Sequence, residues 1–323
     1  MKKIHLISTL IGLLAFSTLA KADLKVVTSI KPIHSLASYI MDGVGSPGLI
    51  VDGYNSPHSF QLKPSHAKML EQADIIFWIG EDLENFLEKP LATIAKKAEK
   101  IELLEIKGIK KLKFRERNIF EEHDDHGHDA KKEEHDDDDH GHDAKKEEHD
   151  DHDDHGHGEY DPHIWLDPIN AKVILSEITE HLIENDSKNA STYKSNLAKA
   201  ISEIDKLIID VITETNTDLS YVVFHDAYQY YENRFNVNIL GAMTVNPDLM
   251  PGAEQIHEIH EVIEHDNVSC ILSEPQFNPD IIKSIAKDTN VKTGVLDPLG
   301  ANLKPGKDLY FDLIRNMSAS FNC

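Results

Sequence analysis

Residues 121–159 constrain this chain most, because they cannot contribute to a core. Their only apolar side chains are Ala130 and Ala144, and they contain no aromatic residue. The twelve residues HGHDAKKEEHDD occupy 126–137 and recur at 140–151, and a partial third copy begins at His155. With 19 acids and 4 lysines, the stretch carries −15 of the chain's formal −24. Burial of so little apolar surface does not offset the entropy of ordering a backbone, so the segment is expected to be disordered without metal. Folding must come from the flanks.

The flanks are suited to it. Residues 1–22 read as a secretory signal: Lys2 and Lys3, an apolar run from Ile4 to Leu19, then Ala20-Lys21-Ala22 as a cleavage site. The mature chain is expected to start at Asp23. No cysteine follows the run as a lipid attachment point, and no other apolar run is long enough to span a membrane. After Asp23, short apolar runs alternate with amphipathic stretches. Strands are predicted at 24–28, 49–51, 75–79 and 100–104, with helices at 32–41, 64–72 and 83–97, the last broken at Pro90. Beyond the insert, helices are predicted at 168–184 and about 189–215, the second with a stripe of Leu197, Ile201, Ile204, Ile208 and Val211. Strands then recur at 221–224, 237–240, 270–272 and 292–296, separated and followed by helices. Strand–helix alternation of this kind builds parallel sheets through right-handed crossovers. The expected fold is α/β with two lobes, each a mostly parallel sheet flanked by helices, joined by one long helix. The expected divisions are 23–188 (carrying the insert), 189–217 for the linking helix, and 218–323.

The acidic balance disfavours nucleic acid as a partner, and no phosphate-cradling G-x-x-x-x-G-K motif occurs. The 20 histidines point to metal instead. Ten lie in the insert: His123, His126, His128, His135, His140, His142, His149, His152, His155 and His157. Imidazoles flanked by carboxylates capture divalent ions, but a flexible tract yields plural, weaker sites than a preformed one. His58 and His225 follow predicted strands, one per lobe, where open α/β sheets bind ligands. His163 sits just after the insert, and Asp297 follows the last strand. Three imidazoles plus a carboxylate or water make a tetrahedral zinc set, although a lone histidine after a strand is more commonly a loop residue. Asp226 and Asp297 also suit helix caps or structural acids. His34, His66, His181, His257, His260 and His265 read as structural. The sequence from His260 to His265 nearly matches the metalloprotease H-E-x-x-H, but its five-residue step puts the two rings on different helix faces.

The strings NSPHSFQLKPSHAKMLEQADIIFWIG, PHIWLDPINA, VVFHDAYQYY, SEPQFNP and LDPLGANL, in this order, resemble the ZnuA-type solute-binding proteins of zinc-uptake ABC transporters. The likeness covers essentially the whole mature chain, including the place of the histidine-rich insert. It implies zinc ligation by His58, His163 and His225, with Asp297 or water in the fourth position. Some members have a glutamate immediately before the first histidine; here Pro57 stands there. Manganese-binding relatives tend to have a carboxylate where this chain has His225, and a third nitrogen donor softens the site toward zinc. The resemblance also implies a Cys270–Cys323 disulfide, which export and the even cysteine count favour over thiolate metal binding. The expected protein is a monomeric periplasmic zinc receptor that passes Zn2+ to a membrane permease and is not an enzyme. A metal buffer without a permease and a zinc hydrolase are the alternatives.

Overall fold

The computed structural model describes residues 24–115, 118–119, 158–245, 247 and 251–323. The expected signal peptide and all ten insert histidines lie outside the described residues. Seven elements precede the insert: β1 (Val26–Ile30), α1 (Lys31–Ile40), β2 (Gly48–Val51), α2 (Pro64–Gln72), β3 (Ile75–Trp78), α3 (Glu81–Thr93) and β4 (Glu99–Glu102). Their strands form a parallel sheet in the order β2-β1-β3-β4. β1 and β3 are central and buried along their whole length, as inner strands covered by helices on both faces must be.

The helix expected to break at Pro90 runs through it. Its non-helical residue is instead Glu84. The buried Glu84 carboxylate turns back to accept hydrogen bonds from the Ile79 and Gly80 N–H groups at 2.8 and 3.1 Å. Those donors lie just past the end of β3, so a side chain satisfies backbone groups that neither strand nor helix can.

Beyond the insert come α4 (Pro168–Asn185) and α5 (Ala190–Glu214). Asp167 caps α4 by accepting from the Ile169 N–H. The buried face of α5 is Tyr193, Asn196, Ala200, Ile204, Leu207 and Val211. It is therefore rotated from the predicted stripe: Leu197, Ile201 and Ile208 are only half-buried. Close packing against α1, α4 and the last helix, α9 (Leu309–Ser320), explains the shift. It favours small Ala200, and it lets Asn196 donate to the Ile40 and Asp42 carbonyls, both at 2.9 Å.

The second sheet is built the same way from β5 (Ser220–His225), α6 (Gln229–Phe235), β6 (Asn238–Thr244), α7 (Ala253–His265), β7 (Cys270–Ser273), α8 (Asp280–Thr289) and β8 (Lys292–Val295), ordered β6-β5-β7-β8 and parallel. β6 runs four residues past its predicted end, through Gly241. A Cβ on Gly241 would lie 2.7 Å from the Asn118 carbonyl oxygen; without one, residues 118–119 approach the sheet edge and Asn118 accepts from the Ala242 N–H at 2.8 Å. The last helix, α9 (Leu309–Ser320), packs against α1 and α5. The chain ends at Cys323, disulfide-bonded to Cys270 on β7.

Candidate metal centre

His58, His163 and His225, separated by as much as 167 positions, meet between the two sheets, with one ring nitrogen from each within 4.8 Å of the others. Each arrives by a different route. His58 lies in the loop after β2, half-buried. His225 is the last residue of β5, beside β7, where the strand order reverses direction. This is where open parallel sheets receive ligands. His163 precedes a 3-10 turn, Ile164–Leu166, that leads into α4. The turn is rigid: Trp165, which packs on His163 with centroids 5.3 Å apart, donates its indole N–H to the Pro298 carbonyl of the other half at 2.9 Å.

Two carboxylates orient the rings. His163 Nδ1 lies 2.7 Å from Asp161 Oδ1, and His225 Nδ1 lies 2.6 Å from Glu274 Oε1. With Nδ1–H donated to a carboxylate in each ring, both Nε2 atoms carry lone pairs, and these sit 3.4 Å apart. Two lone pairs held at that distance repel unless a metal ion, or a proton taken up by His225, lies between them. Zinc–imidazole bonds of about 2.0–2.1 Å in a tetrahedron require a nitrogen–nitrogen edge of about 3.4 Å, so the residues fit the ion. Burial, reinforced by neighbouring His225, holds His163 well below the ordinary imidazole range, so it stays neutral. Burial opposes charge on His225 too, but Glu274, with Asp226 and Asp161 behind it, raises its pKa overall. Burial likewise pushes Asp161 up to about 7.

Asp297 lies outside this imidazole group. Its carboxylate accepts from the Leu299, Gly300 and Ala301 N–H groups and from Gln276, at 2.5–3.0 Å. It folds the loop after β8 in the manner of a capping acid. The sequence reading missed the orienting carboxylates. The signals were there: Asp161 is two residues before His163, and Glu274 follows β7 at the height where His225 ends the adjacent β5. Of the histidines read as structural, His34 bonds the Pro47 carbonyl at 3.2 Å, His66 accepts from the Lys63 N–H at 3.2 Å, and exposed His257 pairs with Glu261.

Two parallel α/β halves meeting at a buried imidazole cluster place the chain among two-lobed proteins whose site is shared between lobes. Comparison with known proteins names the family. Residues 26–322 match the family described as zinc-uptake complex component A, periplasmic (ZnuA), and the chain belongs to it. It is 46% identical over 329 residues to the high-affinity zinc uptake system protein ZnuA of Brucella abortus (strain 2308), covering 99% of this chain and 98% of that one. The Yersinia pestis protein of the same name is 35% identical, with 93% and 91% covered. Among solved structures, a mutant of the laminin-binding adhesin Lmb from Streptococcus agalactiae shares the fold with a TM-score of 0.71 at 22% identity, covering 93% of this chain and 98% of that one.

Proposed function

We propose that this protein is the periplasmic zinc receptor of an uptake system: it captures Zn2+ between its lobes and delivers it to the membrane permease of an ABC importer, acting as a monomer. The observation that carries the reading is the pair of Nε2 atoms at 3.4 Å, each on a ring whose other nitrogen is committed to a carboxylate. Such a pair is preorganised for a cation, and a proton on His225 Nε2 is the competitor that zinc displaces. Three imidazole donors favour zinc over a harder ion such as manganese. With Asp297 engaged by backbone, the fourth position goes to water. The cavity at the cluster, about 10 Å³, is far below the roughly 300 Å³ at which small-molecule sites begin, which supports an ion as cargo and counts against a hydrolase. The insert histidines supply additional, weaker zinc-binding positions.

Zinc titration of the protein lacking 121–159 tests the site. One tight equivalent is expected, and His225→Ala should abolish it. Tight binding that survives His225→Ala would place the ion elsewhere and overturn the reading.

A further inference from the structure

A second group of metal donors lies in the first lobe, away from the cleft. His181, near the C-terminal end of α4, faces Glu99 at the start of edge strand β4, and Glu184 completes the set with ligand atoms mutually within 4.8 Å. His181 stands 13 residues beyond the start of α4, whose first residue follows the cleft turn; at 1.5 Å per residue that is about 20 Å along the helix.

The ring is oriented as a ligand would be. Its Nε2 lies 3.1 Å from Glu177 Oε1, one turn back on the same helix. With the proton donated there, Nδ1 presents its lone pair to the notch between strand and helix. Nδ1 is buried and has no hydrogen-bond partner. Glu99 Oε1 stands 2.9 Å from it, an ion pair when the ring is protonated and a neighbouring donor for a metal when it is not. Glu99 is itself held in place, since Asn185 Nδ2 donates to its other oxygen at 3.0 Å. A carboxylate–imidazole–notch arrangement is how metal-binding histidines are commonly supported. The helix end adds to it: the carbonyl terminus of α4 carries partial negative charge, and no lysine or arginine occupies its last turn.

We propose that Glu99, His181 and Glu184 form a second divalent-cation site that staples edge strand β4 to the C-terminus of α4. With one imidazole and two carboxylates, it is harder than the cleft and takes Zn2+ or Mn2+. The site is independent of the cleft reading. The test uses the full chain carrying His225→Ala, with melting temperature followed against zinc chloride and, separately, manganese chloride. Ions that the insert binds equally in the folded and the unfolded protein leave the midpoint unmoved, whereas a site present only in the folded state raises it. A saturable rise of several degrees is expected with at least one metal, and adding His181→Ala should remove it. Glu184→Gln, at an exposed position, should remove most of it without disturbing packing. Zinc-edge anomalous diffraction should place an ion between the three side chains. A rise unchanged by both substitutions, or no rise with either metal, would overturn the site.

Discussion

At the scale of single residues, the cleft depends on acids that touch no ion. Asp161 and Glu274 hold two imidazoles in the tautomer that turns Nε2 toward the third ring. Glu274→Gln keeps the shape but loses the charge and the strong acceptor, and such losses cost about 10–100-fold in metal affinity. Competition with a chelator at pH 7.5 should read a weakening of that size, with one equivalent still bound; unchanged affinity would remove Glu274 from the site's support. The direction of the pH effect follows from the same contacts. A raised His225 pKa means that ring takes up a proton first as pH falls, while His163 remains neutral further down. A proton and zinc compete for Nε2, so affinity is present above the His225 pKa and lost as pH drops through it. The decline should therefore begin above pH 6.5, the ordinary imidazole value. In Glu274→Gln it should begin at lower pH, because the charge that favours the imidazolium is gone. A wild-type affinity flat from pH 8 to pH 5.5 would contradict this account. The three rings themselves were legible from their strings and strand ends. Glu274 was not, since its role depends on a strand pairing, β5 with β7, that no local pattern reports.

Among the elements, the periodic ones read well and the exceptions have physical causes. Strand–helix alternation locates every strand of both sheets to within a few residues: the covered inner strands are short and mostly apolar, and the largely exposed edge strands β4 and β8 follow from their place in the alternation. The departures occur where tertiary contact overrides local pattern: the break in α3 follows the buried Glu84 rather than Pro90, and the inner face of α5 follows the three helices around it rather than its most apolar side. The terminal helix is a further case. α9 ends the chain but packs against α1 at the other end of the sequence and is tied to β7 through Cys323 and Cys270. The cross-link spans 53 residues of sequence, for which loop-closure entropy gives about 4 kcal/mol. Cys323→Ser should lower the urea midpoint by a corresponding amount while leaving one tight zinc equivalent, because neither cysteine is near the imidazoles. An unchanged midpoint would mean α9 is held by packing alone.

Across the whole molecule, the two lobes are bonded in more places than the long helix α5. The buried Lys31 ammonium, directly after β1, donates to the Gly300, Ala301 and Leu303 carbonyls of the other lobe at 2.7–3.0 Å, on the loop that Asp297 organises. Arg234 on α6 forks onto Asp167 at 2.7 Å through two nitrogens, and Arg115 bonds both Asp226 and Glu232. These charge-assisted bonds favour a small adjustment around the ion over wide opening. Lys31→Met leaves three carbonyls without their donor, at a cost of about 1–3 kcal/mol. Stopped-flow chelation should find zinc released several-fold faster from this variant, and an unchanged release rate would show that the clasp does not hold the cleft. By itself, the amino-acid order determined the α/β class, the inability of 121–159 to build a core, and which imidazoles were available, because periodicity, burial and donor chemistry are local properties. Only the tertiary structure decided which carboxylates steer those rings, that Asp297 folds a loop beside the cluster, and how the lobes are clasped. Each of these rests on backbone groups and side chains brought together from distant positions, and such distances exist only once both sheets have closed.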